Sequence, residues 1–189
     1  ELLAPVSRPE KVKAHASYRI LGAHWYAEGL YIKDIKSGSQ IQADKVYRVE
    51  EGDFVYNRLF AWKGSFAIAT ISDDGCYVSN EFPCFLIQEA LIEPLFLRWY
   101  FSREKAWNEA FGLSTGGTPT SRNRLKEGAL LAMTIPLPPL EEQRHIVERI
   151  EELAAQNEES HSLRSQTQNE VDSFFVASRA KLFNAAMDQ

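Results

Sequence analysis

A chain of 189 residues can bury one core and carry one appended element, and 44% apolar with 25% charged residues is the balance of an ordinary globular protein. No apolar run approaches the roughly 18–20 residues that a membrane helix needs, which excludes a helical span. The net charge of −5 lies wholly in residues 141–189, while residues 1–140 balance at 16 basic and 16 acidic groups, so the chain lacks the overall positive charge of a free-standing DNA binder.

Residues 1–17 hold two prolines and few large apolar groups, and read as a linker or ordered tail outside the core. With Glu1 in place of a Met-led leader, the start reads as a boundary inside a longer frame. From Tyr18 to Phe111 the chain carries 19 of its 22 aromatics, which places the main core there. Gly52-Asp53 precedes a strand at Phe54-Val55-Tyr56, and Ser65 to Ile71 alternates with period two. Asp74-Gly75 suits a tight hairpin turn that leads into Cys76-Tyr77-Val78. Phe82 to Ile87 is a further apolar strand. The cysteines, Cys76 and Cys84, could pair, but read better as buried free thiols of a cytoplasmic protein. Short strands at near-regular spacing imply a strongly bent sheet or partial barrel.

Pro94 is well placed to open a helix over Leu95–Phe101, and Glu104 to Phe111 continues helically until Gly112 as a C-terminal stop. The stretch from Leu113 to Arg124 has the composition of a loop. It lies in a local basic zone, with six basic residues against Glu104 and Glu109 between Arg98 and Lys126. Met133 to Leu137 reads as a last strand, closed by Pro138-Pro139.

Beyond Pro139 there is no further Pro or Gly. Ile146, Ile150 and Leu153 recur at helical spacing, and Val171, Phe174, Phe175 and Leu182 resume the apolar face after a polar stretch around Asn157–Thr167. One helix from Leu140 to Asn184 spans roughly 65 Å, so it projects and its apolar face needs a partner. The alternative is two shorter helices broken near Asn157.

The segment Ile135-Pro136-Leu137-Pro138-Pro139-Leu140-Glu141-Glu142-Gln143-Arg144-His145-Ile146-Val147 resembles the hallmark of specificity subunits of type I restriction–modification systems. In that family a target-recognition domain ends at a Pro-Pro corner and a Glu-Gln pair opens a long spacer helix. Gly52-Asp53-Phe54-Val55-Tyr56-Asn57-Arg58, the stretch Gly75–Phe82 and the Ser114–Leu125 loop also resemble stretches of these domains. The resemblance covers about residues 18–184. It implies an α+β fold, with a curved mixed or antiparallel sheet forming a recognition domain over residues 18–139, and a long projecting helix over 140–189. It also implies a non-catalytic chain that recognises double-stranded DNA and directs adenine methyltransferase and restriction (motor) subunits to a bipartite site. No cofactor is expected on this chain, S-adenosylmethionine belonging to the methyltransferase partner. The family subunit usually has two recognition domains and two spacer helices; this chain has one of each, which implies a homodimer or pairing with a second half. Two alternatives remain at this point: the specificity part of another restriction–modification type, and an adaptor that dimerises through its helix without a DNA role.

Against catalysis by the chain, Lys63 precedes Asp73 and Glu81 in the wrong order for an acid–acid–lysine nuclease, and Asp73-Asp74-Gly75 has turn chemistry. The four histidines are never at metal-ligand spacing with a cysteine, so no metal site is expected. For DNA, Asn57, Arg58, Trp62 and Lys63 form either a DNA-facing tip, with Asn57 or Arg58 at base edges and Lys63 at phosphate, or a solvated turn with Trp62 folded inwards. Asn80 either pairs with adenine through its amide or serves a turn. Thr115, Thr118, Thr120, Ser121 and Asn123 offer short hydrogen-bonding groups. Arg122 and Arg124 either reach guanines and phosphates or pair with Glu127 or another acid to shape the loop.

Overall fold

The computed structural model of the chain describes residues 1–116 and 123–187, with side chains through residue 179 and at Phe183. Two compact units divide it, Glu1–Arg144 and His145–Gln189. Among its described residues the first holds nine strands: β1 Leu3–Val6, β2 Pro9–Lys11, β3 Ser17–Ala23, β4 Leu30–Ser37, β5 Lys45–Arg48, β6 Phe54–Tyr56, β7 Phe66–Ile68, β8 Tyr77–Val78 and β9 Cys84–Ile87. Three helices follow, α1 Pro94–Phe101, α2 Glu104–Leu113 and α3 Glu127–Leu131.

Two sheets form, in the orders β1-β9-β6-β7 and β2-β5-β8-β3-β4. The first is antiparallel throughout, and the second is mixed through the parallel Ile20–Tyr77 pairing of β3 and β8. Strand alternation makes the first sheet a middle layer. Phe54 and Tyr56 of β6, Phe66 of β7 and Phe85 of β9 pack with Leu97, Phe101 and Ala106 of the helices. Val55 and Cys84 of the same strands turn the other way, onto Leu21 and Val78 of the second sheet. Both faces being covered, all three residues of β6 are buried. The Phe66 and Phe101 rings, 4.4 Å apart, lie at the centre of an aromatic cluster.

Four expectations change. Residues 1–17 are not a tail outside the core: Leu3 is buried, and β1 and β2 each edge one sheet. Edge positions tolerate Pro5 and Pro9, which cannot donate to a ladder. Arg8 then locks this segment onto buried Asp53, with Nη1 and Nη2 at 2.7 and 3.1 Å from its carboxylate oxygens. Second, β7 and β8 make no hairpin but belong to different sheets. The Asp73 carboxylate accepts the Thr70 N–H (2.8 Å) and hydroxyl (2.7 Å), and Gly75 takes φ +69°, so the turn carries the chain across layers. Third, α2 runs through Gly112 to Leu113. Fourth, Met133–Leu137 forms no strand, and the segment is anchored by burial of Met133 and by the Tyr100 hydroxyl donating to the Thr134 carbonyl (3.1 Å).

Pro94 stands at the start of α1 as expected, and both cysteines are buried and free. The last helix, α4 Leu140–Met187, is a single element of 48 residues that passes through Asn157 unbroken. In its first turn Gln143 is wholly buried. Its Oε1 accepts the Glu93 N–H (2.9 Å), and its Nε2 donates to the carbonyls of Leu91 (3.1 Å) and Pro138 (2.8 Å). A buried amide with all these groups matched fixes where the helix begins. Along the second unit Val147 is buried and Ile146 and Ile150 are partly covered. Leu153, Val171, Phe174 and Phe175 are exposed within the chain. The side chain of Leu182 lies outside the described residues.

Candidate nucleic-acid interface

Three segments far apart in sequence meet through Arg58, just beyond β6. Its N–H donates to the Glu81 carbonyl (2.9 Å), and its own carbonyl accepts the Leu125 N–H (3.0 Å). Its guanidinium donates to the Asn80 carbonyl and to both carboxylate oxygens of Glu127. Beside it the buried Tyr56 hydroxyl donates to the Leu125 carbonyl (2.9 Å) and, desolvated, titrates well above the ordinary tyrosine range. Burial opposes charge on Arg58 and Glu127 alike, yet their mutual pairing outweighs it, raising the arginine and lowering the carboxylate.

Arg124, expected to reach DNA or an acid, pairs with Glu81 at 2.9–3.3 Å. Its backbone exchanges two 3.0 Å hydrogen bonds with Thr115, closing the base of the intervening loop. Thr115 is exposed and Asn123 buried, while Thr118, Thr120, Ser121 and Arg122 lie outside the described residues. Arg58, Asn80, Thr115 and Arg124 are thus linked through Glu81 and Leu125, though no run of sequence joins them.

Several of these side chains already have structural work. Asn57 is buried and its Oδ1 accepts the Leu59 N–H (2.9 Å), closing the turn after β6. Trp62 is partly buried, donates Nε1–H to the Leu59 carbonyl (3.0 Å), and its ring lies 6.0 Å from that of exposed Phe111. Gly64 ends this turn at φ +73°, and a Cβ there would lie 2.5 Å from the Trp107 ring. Asn80 is exposed and its carbonyl, not its amide, holds Arg58. Lys63 rests its Nζ 3.6 Å above the Trp25 ring.

Sequence reasoning passed over the β3–β4 connection. Trp25 and Tyr26 stand exposed there, facing an open cleft of about 530 Å³ that Phe60, Tyr31, Asn57, Ser79 and Phe82 also line. Tyr26 and Ala27 adopt left-handed φ of 61° and 56°, a strained choice for non-glycine residues. Their N–H groups donate to the carbonyls of Lys63 (2.9 Å) and Gly64 (2.7 Å), which holds the turn against that strain. The adjacent aromatics ahead of Gly29, between two alternating apolar runs, were the available signal.

The carboxylates that sequence placed near one another are dispersed among structural partners: Asp53 on Arg8, Asp73 on Thr70, Asp74 on the Glu51 N–H and Glu81 on Arg124. No group of three or more His, Cys, Asp or Glu suited to a metal occurs among the described residues.

Residues 18–169 match the family model of the type I restriction modification DNA specificity domain. The chain belongs to that family. Its fold is that of solved relatives. The HsdS subunit from Thermoanaerobacter tengcongensis superposes with a TM-score of 0.69 at 20% identity, over 89% of this chain and 44% of that one. A chain from a structure describing complex assembly and conformational transition of the type I R-M system gives 0.63 at 22% identity, over 90% of this chain and 47% of that one. The specificity domain thus spans less than half the length of either solved chain. No curated protein matches it in sequence. Among the described residues no helix is long and apolar enough to cross a membrane.

Proposed function

We propose that this specificity domain recognises one part of a bipartite DNA site and directs adenine methyltransferase and restriction subunits to it in the cytoplasm, without catalysing a reaction itself. The observation that carries the proposal is the convergence of the Asn57–Lys63 turn, the Ser79–Phe82 turn and the paired residues Thr115 and Arg124 around Arg58. A rigid frame that presents loops is the arrangement by which a scaffold displays recognition groups. In this surface Arg58 and Asn57 are positioning residues, spent on the frame. Asn80, Thr115 and the residues Thr118, Thr120, Ser121 and Arg122 are the reading set, while buried Asn123 and Arg124, paired with Glu81, hold the base of their segment. The S-adenosylmethionine and the base flipping belong to the methyltransferase partner.

The balanced charge of residues 1–140 fits a reader whose partners supply much of the phosphate contact. Helix α4, roughly 72 Å long at 1.5 Å per residue, would pair antiparallel with a second such helix through Ile146, Ile150, Leu153, Val171, Phe174, Phe175 and Leu182, and so set the distance between two half-sites. That second helix comes from another copy or from a second half of the same subunit.

The test is to map methylated adenines in cells that express the chain with its methyltransferase subunit, with and without the chain. Methylation of one bipartite motif only when the chain is present is the expected result. Equal methylation in its absence, or none at any motif, would overturn the reading.

A further inference from the structure

We infer that the Trp25–Tyr26–Phe60 cluster with Lys63 is a sequence-neutral seat for the DNA backbone, separate from the loops that read bases. The inference rests on the proposed DNA-recognition function. Trp25, Tyr26 and Phe60 are 42%, 56% and 38% exposed, an unusual concentration of aromatic surface on one turn and its neighbour. The Trp25 and Phe60 rings lie 6.1 Å apart. Lys63 sits 3.6 Å over Trp25 and 5.1 Å from the Trp62 ring, and among the described residues it takes part in none of the ion pairs. A lysine held on a ring face keeps ammonium hydrogens for an incoming acceptor, and its position is set in advance.

The backbone beneath is also fixed in advance. The left-handed Tyr26–Ala27 pair is bonded to the carbonyls of Lys63 and Gly64, so the aromatic turn and the lysine move as one body. Tyr26 further rests on Trp107, ring centroids 5.4 Å apart. The cleft beside the cluster is lined by Asn57, Ser79 and Phe82, which joins it directly to the surface built around Arg58.

Phosphate and deoxyribose are the occupants this chemistry suits. The cluster offers ring faces and one ammonium, which match sugar and phosphate. It lacks the row of short amides and hydroxyls that base edges require and that the Thr115–Arg124 loop possesses. The cleft lining itself carries Lys33 and Glu28, which balance, so Lys63 on the Trp25 ring supplies the excess cation beside the cleft.

The experiment uses the full chain assembled with its methyltransferase subunit. Binding to the cognate duplex and to single-base variants is measured at several salt concentrations, for wild type, Lys63→Met and the double variant Trp25→Ala with Phe60→Ala. Lys63→Met should weaken all duplexes alike and flatten the log–log salt dependence by about 0.9, the loss of one phosphate contact. The aromatic double variant should weaken all duplexes on the order of tenfold while the order of preference stays the same. Trp25→Phe, which keeps a ring, should bind nearly as wild type and lose part of the tryptophan fluorescence change on DNA addition, a readout that survives if the double variant misfolds.

Unchanged binding in folded variants would overturn the inference, as would altered preference at one base pair, which would make the cluster a base reader. Weaker assembly with the methyltransferase subunit in the absence of DNA would overturn it in favour of a protein-docking surface. If wild type itself shows no preference among duplexes, the proposed function fails instead, and the two failures are told apart by that one control.

Discussion

Replacing Gln143 should uncouple the start of α4 from the segment ahead of α1. The side chain is 0% exposed, and its three hydrogen bonds of 2.9, 3.1 and 2.8 Å tie Glu93, Leu91 and Pro138 to the first turn of the helix. Gln143→Leu keeps the bulk and removes all three bonds. At roughly 0.5–1.5 kcal/mol net for each bond the loss is about 1.5–4.5 kcal/mol. Stranded partners that water cannot reach favour the upper half of that range. At about 2–4 °C per kcal/mol for a chain of this size, the thermal midpoint should fall by about 3–18 °C, read by circular dichroism at 222 nm. Gln143→Glu is the sharper companion. It places a carboxylate against the carbonyls that Nε2 now serves, so the folded state favours the protonated acid. Its defect should therefore be smallest in acid and grow as pH rises above the unfolded carboxyl value of about 4.3. A Leu variant within about 0.5 kcal/mol of wild type, the scatter of neutral surface changes, would refute the assignment of Gln143 as the anchor of the helix.

The Arg58–Glu127 pair lowers the Glu127 carboxyl below its ordinary value, so its contribution to stability is complete above the unfolded carboxylate range and is lost as pH falls through the folded value. The stability gap between wild type and Glu127→Gln should accordingly hold from about pH 8 to pH 5 and close below about pH 4 in denaturant titrations; a gap that widens in acid would contradict the pairing. Burial pushes the Cys84 thiol up to about 12 and raises Cys76 as well, so neither should react with iodoacetamide at about pH 8 until the chain is unfolded, as mass spectrometry would show. Rapid single labelling of native protein would count against that burial. Replacing Ile150 and Val171 together with Asp puts charges in the apolar seam of α4 and should lower the sedimentation mass of any self-associated species; an unchanged mass would place the interface elsewhere.

Local signals were legible where one residue dictates its own conformation. Pro94 opens α1, Gly75 takes a positive φ, and the lack of Pro and Gly beyond Pro139 leaves α4 unbroken over 48 residues. The Glu142-Gln143 motif marked the start of that helix, though its role in binding Leu91, Glu93 and Pro138 needed the contact across some fifty residues. The turn chemistry of Asp73 to Gly75 was legible, but not its destination, because the same turn joins two strands of one sheet or steps between two layers. The N-terminal strands were missed because edge strands need neither a long apolar run nor freedom from proline; β1 and β2 are decided by the ladders of β9 and β5. The same holds for the candidate interface. Composition identified cations, amides and hydroxyls suited to DNA, but which of them are free depends on distant partners: Arg58 is taken by Glu127 and Arg124 by Glu81, while Lys63 rests on Trp25. Sequence by itself therefore determined where α1 and α4 begin, the positive φ at Gly75 and the kinds of group available for recognition, since those follow from backbone sterics and side-chain chemistry within a few residues. Tertiary structure alone decided the layer each strand joins and the groups left facing outward, since burial and pairing are set by residues tens of positions away.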